Sequence, residues 1–520
     1  MINRDPQELL NAARHAFAEQ RIGDAIQYYH QLTRLVPDNP EILVNYGVAL
    51  KSNGQLTDAK ESYQKALALN PNFVTALFNL ANLTAEEEDF HEAVKLYQHI
   101  INISGPTPEL LNNLAIALYE AGFFDKALTR AQESLKLKPD FVEALTTIGN
   151  TLQRLGKLDE AGATLAKAES LAPKNSVCLL NYGSFLQATG DYKSAMKRYN
   201  RAIAQQPNYV EARVKRAGLK IALGDFSGGF SEFESRWEWS CRHPFFKRLE
   251  CAKIPIWDGA PLDGKRLLIW NDQGYGDVIQ CCRFIPELFS QTDKIVLETE
   301  LPLVNLLRSI ENIEAVISPD EQIPDVDLAI PYMSLPHLLN TELSTLKKID
   351  SYLVAPTERI LKWNKELGPA NVRRIGIAWA GNPHQAHDYT RSIPSKILDP
   401  LFDIEKIEFH SLLVGEKADE LHHKAGFYDH SQKINDFGDT AALISLMDLT
   451  ISVCSAPAHL AGALGAPIWI ALSFDPDGRW LLDYQDTVWY PSAQLFRQPT
   501  PGDWKSVVEE ISSELHKLFQ

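Results

Sequence analysis

The sequence predicts a multidomain chain, an all-α array of stacked helical hairpins followed by an α/β module of two doubly wound domains. Three observations predict it. Proline and alanine recur every 34 residues through residue 209, that beat stops after Trp239, and short apolar runs then alternate with amphipathic segments from about residue 254. At 520 residues the chain also exceeds what one hydrophobic core sustains, so two or three domains are expected.

The array comes first. Proline stands at 37, 71, 139, 173 and 207, with Gly105-Pro106 where the remaining member falls, and alanine at 25, 59, 93, 127, 161 and 195. Four residues after each alanine come Tyr29, Tyr63, Tyr97, Ala131, Leu165 and Tyr199, and small residues mark the first helix of each unit at Ala13, Gly47, Ala81, Ala115, Gly149 and Gly183. A small residue on one helix lets its partner approach closely, the alanine does so in return, and proline ends the hairpin. Apolar residues such as Leu43, Tyr46, Gly47 and Leu50 give each helix one inward face. A lone hairpin cannot bury that face, so neighbours must stack. These units resemble the tetratricopeptide repeat over roughly residues 6–209. A degraded seventh unit follows to Trp239, with Gly229 where alanine is expected, and the repeat domain is set at 6–240.

The sixth residue of each unit is Asn11, Asn45, Asn79, Asn113, Thr147 or Asn181. On the first helix this position is expected to face the concave groove. An amide there can pair with an extended peptide backbone without reading its side chains. The row resembles the asparagine ladder of the protein O-GlcNAc transferases, which clamps acceptor polypeptides. The other reading is that asparagine is simply usual at this place in tetratricopeptide repeats.

Beyond the junction rich in tryptophan, arginine and proline (Trp237, Trp239, Arg242, Pro244, Pro255, Trp257), strands are expected at 266–270, 294–297, 327–330, 374–379, 411–414, 449–453 and 467–472. Helical patterns lie between them, among them 278–289, 440–447 and 457–464. Strand–helix alternation reads as parallel sheets covered on both faces. One domain is placed at 254–360 and a second at 372–498, with the polar stretch 358–372 as hinge linker, and an amphipathic helix at 503–520 packing back across the domains. Two facing doubly wound domains hold a ligand at the carboxyl ends of their strands.

Three stretches carry chemistry. In RLLIWNDQGYGDVIQ a strand runs into Gly274-x-Gly276 and a helix begins near Asp277. Glycines permit close backbone approach, and a helix N-terminus favours anions. The pattern is neither a complete GxGxxG nor a Walker loop. In RIGIAWAGNPHQAHDYTRSIP, Arg391 either grips a diphosphate in two-pronged fashion or pairs with Asp388. His384 and His387 lack a third metal ligand. In LTISVCSAPAHLAGALGAPIWIALSFDPDGRWL, Ser455 is placed to cap a helix with Pro457 in its first turn. The free amides and dipole of that helix suit a diphosphate, and His459 is either structural or a ligand contact.

In this order the three stretches, together with WYPSAQLFRQ at 489–498, resemble the glycosyltransferase module found behind tetratricopeptide repeats in bacteria, a relative of the ADP-heptose:lipopolysaccharide heptosyltransferases. The resemblance implies a GT-B fold: two facing Rossmann-like domains, metal-independent, with the nucleotide-sugar held mainly by the second and the acceptor approaching through the first. By the same resemblance Asp277 is the general base or else a cap of its helix. Gln273, Gly274, Gly276, Asn382, Arg391, Ser455, His459, Asp475 and Arg479 fall in donor-binding motifs. Four departures stand out. Asp272 replaces the family's glutamate, Cys454 its aspartate, Pro457 a common aliphatic residue and Gly478 a tryptophan.

The expected function is transfer of a sugar from a nucleotide-sugar to a protein acceptor, such as a flagellin or another surface protein, held by the groove. The alternatives are a glycan or lipopolysaccharide acceptor with partner-recruiting repeats, and a scaffold with an inactive transferase domain. No cofactor beyond the nucleotide-sugar co-substrate is called for. The net charge of −16 argues against nucleic acid as partner. No basic, apolar leader opens the sequence, no run of 18 apolar residues occurs, and the six cysteines form no CxxC pair. A cytoplasmic protein without an integral membrane segment is expected.

Overall fold

The computed structural model describes residues 5–519 apart from 242, 384, 386, 387 and 483, so the expectations on His384, His387 and Arg242 fall outside the described residues. Two compact units divide between Phe185 and Leu186.

The first unit is all helical, in antiparallel pairs such as Pro40–Ser52 with Leu56–Leu69 and Val142–Arg154 with Leu158–Leu171. The small-residue beat does what close packing asks of it. Ala25, Ala59, Ala93, Ala127 and Ala161 are fully buried. A Cβ on Gly47 would lie 2.5 Å from the Tyr63 ring, and one on Gly149 2.5 Å from Leu165 Cγ. Each hairpin turns on a left-handed residue at the same place. Gly54, Gly122 and Gly156 adopt it without strain, whereas Gln20 (φ 61°) and Glu88 (φ 63°) adopt it despite a side chain. The proline beat skips 105 because helix Phe90–Ser104 runs longer than its neighbours and ends on Gly105 at φ 80°.

The second unit opens with the end of helix Ser176–Ala188, then Tyr192–Gln205 and the seventh hairpin, Val210–Ala222 with Phe226–Phe233. Gly229 departs from the alanine beat for a reason. A Cβ there would press into Ile221 and sit 3.1 Å from the Ala217 carbonyl. Ten strands follow: β1 Leu267–Trp270, β2 Ile295–Glu298, β3 Ala315–Ile317, β4 Leu328–Pro331, β5 Arg373–Ala378, β6 Ile407–Ser411, β7 Phe427–Tyr428, β8 Leu449–Val453, β9 Ile468–Leu472 and β10 Ala493–Arg497.

Both sheets are parallel, ordered β3-β2-β1-β4 and β10-β9-β8-β5-β6-β7. Counted within each sheet these are the orders 3-2-1-4 and 3-2-1-4-5-6 of doubly wound α/β folds, with switch points between β1 and β4 and between β5 and β8. One apolar cluster joins side chains of both sheets to Ile221, Phe226 and Phe230 of the seventh hairpin.

Three local expectations change. The strand foreseen at 411–414 is β6, Ile407–Ser411, whose alternation is masked by buried His410, stacked on His430 in the core. The helix foreseen at 278–289 breaks into Tyr275–Cys281, a 3-10 turn and Ile285–Leu288, because Pro286 removes a backbone donor. Most of the supposed linker is helix Thr357–Leu367, ended by Gly368 at φ 67° and anchored by buried Trp363, which donates to Asp439 at 2.9 Å. The terminal helix Trp504–Phe519 packs on β10 and helix Asp399–Phe402, within the second sheet's layer.

Valine at Gly47 would force the Tyr63 ring out of its place. The Gly47→Val protein is expected to lose about 1–3 kcal/mol of stability in urea unfolding, and an unchanged midpoint would refute this close packing.

Candidate functional site

The two switch points meet through their helices. The loop after β1 delivers helix Tyr275–Cys281, and the loop after β8 delivers helix Ala456–Ala463, which packs against it. A Cβ on Gly276 would lie 2.8 Å from His459 Cδ2 and 3.6 Å from Ala456 Cα. Glycine is what lets the helices approach so closely.

Asp277 occupies the third position of its helix. Its Oδ2 accepts the Gly274 amide at 3.1 Å, and its Oδ1 accepts Arg479 Nη2 at 2.5 Å. The N-cap is Gly274, so Asp277 is not the cap residue itself but reaches back to the cap's amide, with a charged partner in the opposite layer. Arg479 sits in a 3-10 turn, Gly478–Trp480, after β9. Its Nη1 donates to Gln280 Oε1 at 2.6 Å, its Nε to Asp477 at 2.8 Å, and Nη1 lies 3.5 Å from His459 Nε2. Burial opposes its charge, but Asp477 and Asp277 more than offset this and hold the guanidinium firmly protonated.

Since arginine has no acceptor, His459 Nε2 must be the acceptor and Nδ1–H the donor to Tyr490 Oη, 2.8 Å away. Burial, then the neighbouring Arg479 charge, hold His459 neutral, well below the usual imidazole range. Its ring stacks on Trp480 at 5.3 Å, and Gly462 makes room for Tyr490.

Arg391 makes the pair with Asp388 that one of its two readings foresaw. Its Nε donates to Asp388 at 2.9 Å and its Nη1 to the Cys454 carbonyl at 3.3 Å, beside the start of helix Ala456–Ala463. Ser455 holds the cap position, but its hydroxyl makes no cap bond and instead lies 3.2 Å from Ser452 Oγ. Cys454 Sγ accepts Trp480 Nε1 at 3.0 Å, and burial raises the thiol's pKa. Gln273 and Asn382 are exposed at the ends of β1 and β5.

Asp475 is engaged differently. Both its oxygens accept Gln187 Nε2, at 3.2 and 3.3 Å, from the end of helix Ser176–Ala188, the first of the sixth repeat, and burial pushes its pKa up to about 6. Asp272 is likewise structural. It pairs with fully buried Arg236 at 3.0 Å and with Ser240, tying the segment after the repeats to β1.

Sequence reasoning missed Asp477, Gln280 and Tyr490, each inside a quoted motif, and Arg236 and Glu298, which no motif marks. Glu298 ends β2 almost fully buried and accepts the Asn271 amide at 2.8 Å, and burial raises its carboxyl to about 7. Away from the cleft, Asp419, His422 and Asp429 cluster, but His422 bridges both carboxylates at 3.5 and 2.7 Å.

Along the repeats Asn79 donates to the Thr75 carbonyl at 2.8 Å and Asn181 to Val177 at 2.8 Å, as Thr147 does to Glu143. Asn181 also accepts from Asn150, and exposed Asn11 from Gln7. Asn45 and Asn113 are half-buried. At Asn79 and Asn181 the amide thus turns a donor to its own helix.

The TPR repeat family matches residues 47–87, and the Tetratricopeptide repeat family matches 10–59, 112–176 and 177–209. The first 210 or so residues carry tetratricopeptide repeats, a protein-interaction module. Protein FlbA of Caulobacter vibrioides is 24% identical over 335 residues, covering 58% of this chain and 54% of FlbA. The chain thus spans about half the length of that curated relative. Among solved structures, a tetratricopeptide repeat protein from Parabacteroides merdae is 18% identical, covering 45% of this chain and 92% of its own, with a TM-score of 0.42. YrrB, a TPR protein with an unusual peptide-binding site, is 23% identical over 35% of this chain and 95% of its own, with a TM-score of 0.29. No helix among the described residues is long and apolar enough to cross a membrane.

Glu298 gives a pH test. Its carboxyl is raised in the fold, so the folded state binds the proton more tightly and wild-type stability falls as pH rises from about 4.5 through about 7. Glu298→Gln keeps the acceptor for Asn271 without that titration. Its stability relative to wild type is expected to improve between pH 5 and pH 8 in paired urea melts. A constant difference would contradict the assignment.

Proposed function

We propose that the chain is a glycosyltransferase of the GT-B arrangement, moving a sugar from a nucleotide-sugar to a polypeptide bound by the repeats. The observation that carries this reading is the meeting of two doubly wound switch points at Gly276, where Asp277 faces Arg479 across the cleft. Ligands of doubly wound sheets bind at such points, and here two of them close on one space.

In the proposed reaction the acceptor hydroxyl oxygen bonds to the anomeric carbon and gives its proton to Asp277. The bond from that carbon to the diphosphate oxygen breaks, and the nucleoside diphosphate leaves with the electron pair. Arg479, Arg391 and the dipole of helix Ala456–Ala463 offset the charge it gains, an electrostatic contribution in a shielded site. Neutral His459 fits a positioning role, holding Arg479 and Trp480 by hydrogen bond and stacking. The ladder amides of Asn11, Asn45, Asn79, Asn113 and Asn181 would present acceptor backbone.

A second reading, a repeat scaffold with an inactive transferase module, is favoured by one feature: Asp277 already has Arg479 and the Gly274 amide as partners. Thermal shift against UDP-, GDP-, ADP-, dTDP- and CMP-linked sugars identifies the donor. With that donor, Asp277→Asn is expected to lower transfer by about 10²–10⁴ while the donor's thermal shift survives. Transfer at the wild-type rate would exclude Asp277 as base, and no shift with any donor would favour the scaffold.

A further inference from the structure

The seventh unit breaks the ladder. The position that is Asn181 in the sixth unit falls, 34 residues on, at Lys215, on helix Val210–Ala222. Lys215 is exposed, and among the described residues no carboxylate lies within ion-pair distance of its ammonium. One turn further along the same helix, the Gly218 carbonyl lies where a Cβ on Gly478 would fall, so Gly478 has no room for a side chain. The Leu482 amide donates to the Ala222 carbonyl at 3.2 Å. Lys215 therefore stands about one helical turn from the loop that carries Asp477 and Arg479. Its charge reaches Asp475, whose two oxygens are held by Gln187, itself bonded by Tyr199 at 2.9 Å.

The surrounding charge differs from the rest of the chain. Helices Tyr192–Gln205 and Val210–Ala222 together hold Lys193, Lys197, Arg198, Arg201, Arg213, Lys215, Arg216 and Lys220 against one acid, Glu211, in a chain whose net charge is −16. Arg216 and Lys220 are taken up by buried Glu232, whereas Lys193, Lys197 and Lys215 remain exposed.

An asparagine amide both donates and accepts, and so suits a peptide bond of any sequence. An ammonium only donates and carries full charge, and so favours a carboxylate. We infer that Lys215 selects acceptor polypeptides bearing a carboxylate side chain near the hydroxyl to be modified. The inference rests on the polypeptide-acceptor reading above and adds its substrate class. In a chain whose net charge is −16, a basic helix pair beside Lys215 also helps orient such a segment.

Two labelled serine-containing peptides, identical but for glutamates in one and glutamines in the other, are titrated against the full-length protein. The wild type is expected to prefer the glutamate peptide, with the margin shrinking as salt is added. Lys215→Asn is expected to cut that margin about threefold and Lys215→Glu about tenfold, with glutamine-peptide binding and melting temperature unchanged. Lys193→Glu, a charge reversal on the neighbouring helix, is expected to leave the margin largely intact. Equal affinity of the wild type for both peptides, no binding of either, or equal loss in Lys193→Glu would overturn the inference. Transfer assays separate it from the reading beneath it. Sugar transferred equally to both peptides sinks the selectivity alone, whereas Lys215-dependent binding without transfer under any donor sinks the transferase reading alone.

Discussion

A methyl group at residue 276 would collide with His459, and the arrangement of the cleft follows from that absence. With glycine there, helix Tyr275–Cys281 lies against helix Ala456–Ala463, and the carboxyl ends of two parallel sheets share one space. That approach lets Arg479 reach Asp277 and Gln280 on the opposite layer while keeping Asp477 on its own. It also places His459 between Arg479 and Tyr490, which fixes the imidazole's tautomer and keeps it neutral. Arg283, buried in the first layer, adds a second tie through the Trp489 carbonyl at 2.9 Å and that residue's ring face. The layers are thus held by directional bonds to buried charge. Such bonds are strong when complete and costly when one partner is lost.

The seventh hairpin belongs to this construction more than to a free-standing array. Gly229 and Gly478 each remove a side chain where the neighbouring chain lies too close for one. Phe226 stacks on Trp489 at 5.6 Å, and its hairpin shares one apolar cluster with both sheets. Arg236 then carries the chain into the first sheet through a buried pair with Asp272. The departures that make this unit look degraded as a repeat are the same ones that fit it to the α/β layers. Whatever polypeptide is drawn to Lys215 is therefore delivered to an element rigidly joined to the loop of Arg479.

The repeats were legible because their signal is periodic and their cause local. Alanine and glycine at fixed spacing report helix-to-helix distance directly, as Gly47 against Tyr63 shows. Strands β1 and β9 were legible as unbroken apolar runs, being buried on both faces, and β8 as a run broken only by the small buried hydroxyls of Thr450 and Ser452. Strand β6 was not, since it carries Glu408 and His410, and His410 is accommodated only by its stacking partner His430. The motifs brought Asp277, Arg391, His459 and Arg479 into view, but not their pairings. Arg479 and Asp277 are 202 residues apart, and no local pattern encodes a contact made by two sheets facing each other. Arg236 and Glu298 carry no motif at all, and burial alone distinguishes them.

The Arg479–Asp277 pair sets a condition on any chemistry proposed for this cleft. A carboxylate held at 2.5 Å by a guanidinium is already engaged and must exchange that partner before it can meet an acceptor hydroxyl. A dianionic diphosphate at the start of helix Ala456–Ala463 would compete for the same guanidinium with greater charge and several acceptor oxygens. Arg479 moving to the diphosphate would leave Asp277 with only the Gly274 amide. In the proposed transferase, donor binding would then do two things at once: place the leaving group and release the base. An acceptor hydroxyl arriving before the donor would find Asp277 still engaged, so the pair would enforce an order of binding with the nucleotide-sugar first.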